Sequence, residues 1–213
     1  MRGGETMLTQ QKKVSIGLTQ FIDFTLKGSA AKTNMVRKIK YQSEYHPAFD
    51  YWKQLRDGIV QFHEQNLDVN FFEELIKTID MKKKLNYTNA IKQYQKFLKG
   101  KEVIWFSPGK ANWTNSELNV RSTPELGLYI DGEPHLVKLY FKGKNERVDK
   151  RNTSTILTLL NTATYEKEHD DIVIRSVLNT HKNKLFSENK INEDKLISLE
   201  SEATQFMFIW NKI

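Results

Sequence analysis

A chain of 213 residues, 38% hydrophobic and 11% aromatic, is long enough to bury a full core as one elaborated domain or two small ones, and its composition is neither disordered nor fibrous. The absence of cysteine excludes a disulfide framework, a thiolate metal site, a cysteine nucleophile and thiol redox chemistry. Lys and Arg number 33 against 26 Asp and Glu, a net charge of +7, which favours an anionic partner, nucleic acid being the most abundant.

No apolar run reaches the length of a membrane span, and the reading is a cytoplasmic protein with no membrane partner. The first hundred residues read as helices. Thr19 is placed to cap a short one carrying Phe21, Ile22 and Leu26 and ending at Gly28, and Met35, Val36 and Ile39 predict another brief turn. Pro47 opens a helix in which Trp52, Leu55, Ile59 and Phe62 recur at helical spacing, with Lys53, Arg56 and Asp57 elsewhere. Asp68 or Asn70 begins the next, with Phe71, Phe72, Leu75 and Ile76. After Lys82, Lys83 and Lys84 a further helix runs from about Thr88 to Leu98, burying Ile91, Tyr94, Phe97 and Leu98 before Gly100.

The period then becomes strand-like. Val103 to Phe106 is an apolar strand closed by Ser107-Pro108-Gly109; a loop from Lys110 to Ser116 follows, then strands from about Leu118 to Ile130 and from His135 to Lys142. Thr153 to Ala163 reads as a helix presenting Ile156, Leu159 and Leu160, and Asp171 to Leu178 as a β-branched strand. From Glu193 an amphipathic helix carries Leu196, Leu199, Ala203, Phe206 and Trp210 on one stripe. The expected class is α+β in the order αβββαβα. A helical N-terminal lobe over residues 1–100 and an α+β core over 101–213, with a mainly antiparallel central sheet flanked by helices, form one integrated unit.

Chemistry concentrates in residues 124–142, PELGLYIDGEPHLVKLYFK. Strand side chains alternate faces, so Leu126, Leu128 and Ile130 share one side and Glu125, Tyr129 and Asp131 the other. In the next strand Val137, Leu139 and Phe141 are the apolar side, with Lys138, Tyr140 and Lys142 opposite. Asp131 to Pro134 is the turn, where Gly132 takes positive φ and Pro134 suits a central strand poorly. The plain reading makes the lysine-bearing side the solvated face of the sheet and Asp131 a turn former.

The order helix, three strands, helix, strand, with Pro124-Glu125 followed by Lys138 and Lys142, resembles the core of the PD-(D/E)XK nuclease superfamily over roughly residues 85–180. The resemblance implies an acid on the second core strand, an acid on the third and a lysine two residues later, the acids holding Mg²⁺ and the lysine positioning the attacking water. On that basis Glu125, Asp131, Lys138 and Lys142 are the candidate catalytic residues, with Glu73 or Glu74 as a further carboxylate. The chain departs from the pattern at the third-strand acid, where Tyr140 stands if Lys142 is the lysine and Leu136 if Lys138 is. The expectation is therefore binding without cleavage; if the chain is an enzyme, it is a metal-dependent phosphodiesterase.

From Lys138 to Arg151 there are six basic residues against Glu146 and Asp149, a net +4. A strand exit running into a helix start with that charge suits the gripping of phosphates without sequence readout. Lys142, Lys144, Arg147, Lys150 and Arg151 are thus the candidate nucleic-acid contacts, and DNA or RNA the expected partner. The histidines lack metal-ligand spacing, and no nucleophile elbow or phosphate loop is present, so no cofactor is expected other than Mg²⁺ in the nuclease case. The alternative is a non-enzymatic module binding another protein through its helical lobe and C-terminal helix.

Overall fold

The structure, a computed structural model, describes residues 13–42, 50–141, 150–188 and 190–213, the side chains of Lys150 and Arg151 excepted. The chain runs β1 (Val14–Gly17), α1 (Leu18–Thr25), α2 (Ser29–Lys40), α3 (Lys53–Glu64), α4 (Phe71–Thr78), α5 (Met81–Leu98) and β2 (Val103–Phe106). It continues through β3 (Ala111–Asn115), β4 (Leu118–Arg121), β5 (Leu126–Ile130), β6 (Glu133–Tyr140), α6 (Lys150–Thr162), β7 (Thr164–Tyr165), β8 (Ile174–Asn179), β9 (Lys184–Glu188) and α7 (Glu193–Lys212). The α+β class holds, but two mixed sheets replace the single central one: β1-β4-β3-β7 and β2-β5-β6-β8-β9. Most pairings are antiparallel; β1–β4 and β6–β8 are parallel.

The second sheet exists because of two local features. The stretch expected as a loop, Lys110 to Ser116, contains β3, whose Ala111 and Trp113 turn inward between partly or fully exposed Asn112 and Thr114; its polar residues masked the alternation. The long strand expected from Leu118 to Ile130 breaks at Ser122–Glu125, where Pro124 has no N–H for a ladder. β4 ends in the smaller sheet and β5 starts in the larger. Pro134, by contrast, sits inside β6. Its pairing with Tyr129 lies one residue before the β8 register begins at His135↔Ile174, so its missing N–H falls where β6 is still an edge.

Two hydrophobic cores result. Under α3, α4 and α5, one face of the larger sheet buries Leu126, Leu128, Ile130, Val137, Leu139 and Phe141 against Leu55, Ile59, Phe72, Tyr87 and Tyr94, the side the alternation assigns to the core. The other core joins Ile16, Phe21, Phe24 and Val36 to Trp113, Val120, Leu159, Leu160 and Phe206. The first hundred residues thus divide: β1, α1 and α2 pack with α6, α7 and the smaller sheet, and α3 to α5 with the larger. Tyr140 belongs to the former core with Val177 and is 8% exposed. Expected on a solvated face, it is buried because β6 is covered on both sides at this end.

Helix ends follow ordinary capping physics. The Asp80 and Asn192 side chains accept from the backbone N–H groups of Lys82 and Lys195, opening α5 and α7, and the Lys40 ammonium donates to the carbonyls of Trp210 and Ile213 at the end of α7. α5 begins at Met81, well before the expected Thr88, because Asp80 caps it.

Within the α3–α5 core the Tyr94 hydroxyl lies 2.5 Å from His63 Nε2. Burial raises the Tyr94 pKa and lowers that of His63 from 6.5 to about 4, so the phenol donates to a neutral imidazole. Above pH 6.5 both folded and unfolded His63 are neutral. As pH falls from 6.5 toward 4 the unfolded chain gains a proton that the fold refuses, and stability declines by about 3 kcal/mol in total. His63→Gln, which keeps a partner for Tyr94, will lose less stability than the native chain over that interval in urea titrations; parallel losses would exclude this role. Leu139→Asp places an unpaired carboxylate in the same core at a cost of several kcal/mol, on the order of the whole domain stability. It will yield insoluble or unfolded protein, whereas an unchanged melting temperature would show the strand to face the other way.

Candidate functional site

The β5–β6 hairpin separates the residues proposed to act together. Asp131 and Gly132 adopt φ of +50° and +87°, the paired left-handed conformations of a two-residue hairpin turn. The Asp131 carboxylate accepts from the Glu102 N–H at 2.9 Å while its own N–H donates to Glu102 O, extending the β2–β5 ladder by one step. Asp131 is therefore a turn residue. Glu125 lies at the opposite end of β5, about 20 Å away along the strand, so the two carboxylates cannot share an ion.

Glu125 and Lys138 do meet. Lys138 Nζ donates to Glu125 Oε1 at 2.6 Å and to Thr123 O at 2.7 Å, and Leu139 N–H donates to Glu125 Oε2 at 2.7 Å. The register explains the last bond. Leu126 pairs with Val137, so the next inward-facing amide of β6, that of Leu139, points to where β5 has already turned away at Pro124. The Glu125 carboxylate takes the place of the missing strand carbonyl.

Two further charges close the cluster. Arg56 on α3 places Nε 3.9 Å from Glu125 Oε1, and its terminal nitrogen donates to Asp50 Oδ2 at 2.7 Å. Burial opposes the Arg56 charge, but the Asp50 hydrogen bond with the charges of Glu125, Asp50 and Asp57 outweighs it, and the guanidinium pKa sits above its ordinary value. Side-chain exposure is 11% for Glu125 and 16% for Lys138. Two carboxylates and two cations thus balance in a half-buried site. Arg56 and Asp50 have no mark in the sequence beyond lying among the charged residues of the α3 region.

The residues present do not fit a two-acid Mg²⁺ centre. Both Glu125 oxygens are occupied by protein donors, Tyr140 and Leu136 at the third-strand position are buried, and Glu74 on α4 is exposed and paired with Lys77. Among the described residues no group of three His, Asp or Glu is poised to hold a metal ion. Lys142, Lys144 and Arg147 lie outside the described residues, and of Lys150 and Arg151 the structure gives only the backbone, in the first turn of α6.

Comparison adds no relative. No protein-family model, curated protein or solved structure matches the chain. The functional reading therefore rests on its own residues. Among the described residues no helix is long and apolar enough to cross a membrane.

A second polar chain crosses the larger sheet: His135 Nδ1 to Ser176 Oγ, then Ser187 Oγ, each 2.9 Å. Burial lowers the His135 pKa, partly offset by Glu133. Ser176 is fully buried, and the chain serves to satisfy polar groups inside the sheet.

Glu125→Ala removes the acceptor of a buried amide and strips Lys138 of its carboxylate partner, which will cost about 2–4 kcal/mol. Lys138→Met will cost less, because Glu125 keeps Leu139 N–H and Arg56. Chemical denaturation of both variants measures the order, and a Glu125→Ala protein as stable as the native chain would remove the carboxylate from this role.

Proposed function

We propose that this protein binds nucleic acid through phosphate contacts and does not cleave it, its nuclease-like centre serving as architecture. The observation carrying this reading is the closed charge balance of the Asp50, Arg56, Glu125 and Lys138 cluster, in which both Glu125 oxygens are already taken. The cluster is itself neutral, so the +7 excess of the chain lies outside it. Lys142, Lys144, Arg147, Lys150 and Arg151, which follow β6 in the sequence, are the contacts this reading assigns to phosphates.

A second reading, a module that binds another protein, is favoured by α7, where Ile197 and Phe208 are 61% and 63% exposed. The two readings separate in one experiment. Under nucleic-acid binding, the intact protein shifts DNA or RNA at low salt, and replacing Lys144, Arg147, Lys150 and Arg151 by Gln lowers the slope of log K against log salt by about 3–4 units on duplex DNA. No shift with any nucleic acid would leave the protein-binding reading.

Cleavage is tested with the same probes in Mg²⁺ or Mn²⁺. No products are expected. Cleavage that disappears in Glu125→Ala and in Lys142→Ala, both still folded, would overturn the non-catalytic assignment.

A further inference from the structure

Between Met81 and Lys101 the chain has seven lysines and no acidic residue. That equals the net charge of the whole protein, so the remaining residues sum to zero. Most of the segment is α5, whose Tyr87, Tyr94 and Phe97 are buried against α3 and the larger sheet. The opposite side presents Lys82, Leu85, Asn89, Lys92, Lys96 and Lys99, all exposed, at the three- and four-residue spacing that aligns side chains along a helix. From Lys82 to Lys99 this stripe is about 25 Å long.

These cations are uncompensated. Among the described residues, none of the ammonium groups of Lys82, Lys92, Lys96 and Lys99 has a carboxylate partner. The nearest acids in sequence, Asp80 and Glu102, stand at the two ends, and the Asp80 carboxylate already caps the helix. On neighbouring α4, Glu74 is engaged by Lys77. Asn89, Gln93 and Gln95 join Lys92, Lys96 and Lys99 around a shallow depression of about 330 Å³, which adds amide donors between the charges.

We infer that the outward face of α5 is a docking surface for the phosphate backbone of a nucleic-acid duplex. The inference rests on the nucleic-acid reading above and moves its main contact from the β6–α6 segment to α5. A straight row of cations suits a duplex, which carries one negative charge per about 1.7 Å of axis. Single strands are held largely by stacking bases on aromatic rings, and every aromatic side chain of α5 is turned into the core. The lysines and amides grip without reading sequence.

The test measures binding of the full chain to a short duplex DNA, a duplex RNA, a single strand of matched length and phosphatidylserine vesicles, from about 50 to about 200 mM salt. Three substitutions together, Lys92→Gln, Lys96→Gln and Lys99→Gln, are expected to lower the salt slope on duplex DNA by about 2.7 units, so that native protein loses about 40-fold more affinity than the variant over this range. Substitution of the same three by Arg retains the slope. Circular dichroism confirms folding, and should the triple variant misfold, Lys96→Gln alone still predicts a change of about 1 unit. Both duplexes responding supports the inference, and their ratio identifies the preferred acid. If native protein binds duplex and the α5 variant matches it while the Lys144, Arg147, Lys150 and Arg151 variant does not, α5 is overturned and the nucleic-acid reading stands. Tighter binding to the single strand or to the vesicles than to duplex overturns the inference. No binding to any nucleic acid removes both.

Discussion

One hydrogen bond, from the Leu139 amide to the Glu125 carboxylate, governs how the two sheets coexist. At Ser122 the chain leaves the smaller sheet, and at Leu126 it enters the larger one. The corner between them must end one ladder and begin another without stranding buried amides. Thr123 Oγ1 bonds both the N–H and the C=O of Ala111, extending the β3–β4 side, and Glu125 completes the β5–β6 side. Lys138 then ties the two through Thr123 O and Glu125 Oε1, and Arg56 links the corner to α3. Remove the carboxylate and β6 loses its partner where it is covered on both faces.

A nuclease-like motif and a structural corner use the same residue types for related electrostatic reasons. A metal centre collects carboxylates that lack protein donors and holds them for a cation. Here each carboxylate has its cation and its amide already supplied. Spacing along the chain does not separate the two cases; the donors facing each oxygen do. Within the proposed function, the contrast between a neutral, closed cluster and an open row of lysines on α5 separates what stabilises this molecule from what is available to a partner.

Sequence reasoning reached the α+β class, the apolar faces of β5 and β6, and the helices α3, α4 and α7, because these carry strong periodicity. It read β2 to the residue, since a four-residue apolar run bounded by Ser-Pro-Gly has few alternatives. It missed β3, whose polar residues Asn112, Thr114 and Asn115 belong to a sheet with one open face, and β1 and β9, whose partners lie far away in sequence or whose alternation is weak. Tyr140 was invisible as a core residue, since nothing local signals that α6 returns over that side of the sheet. The candidate site was half legible. Glu125 and Lys138 are paired across strands as alternation requires, but Asp131 could be separated from them only by knowing where the strand ends. The absence of acids from Met81 to Lys101 is plain in the sequence; that the aromatics turn inward and leave the lysines in a row needs the helix.

The parallel pairing of β1 with β4 sets an order on assembly. Val14 must find Leu118 on the order of a hundred residues later, and the intervening chain contains α3, α4 and α5, which bury their side chains against strands that come later still. Neither core can close until β4 and β6 have been made, so a growing chain holds its first five helices without a finished surface to pack on. Such long-range closure slows folding and prolongs exposure of apolar faces. On the ribosome, α1 and α2 wait longest, for α6 and α7, while the acid-free α5 displays its lysines before its aromatic side has a sheet.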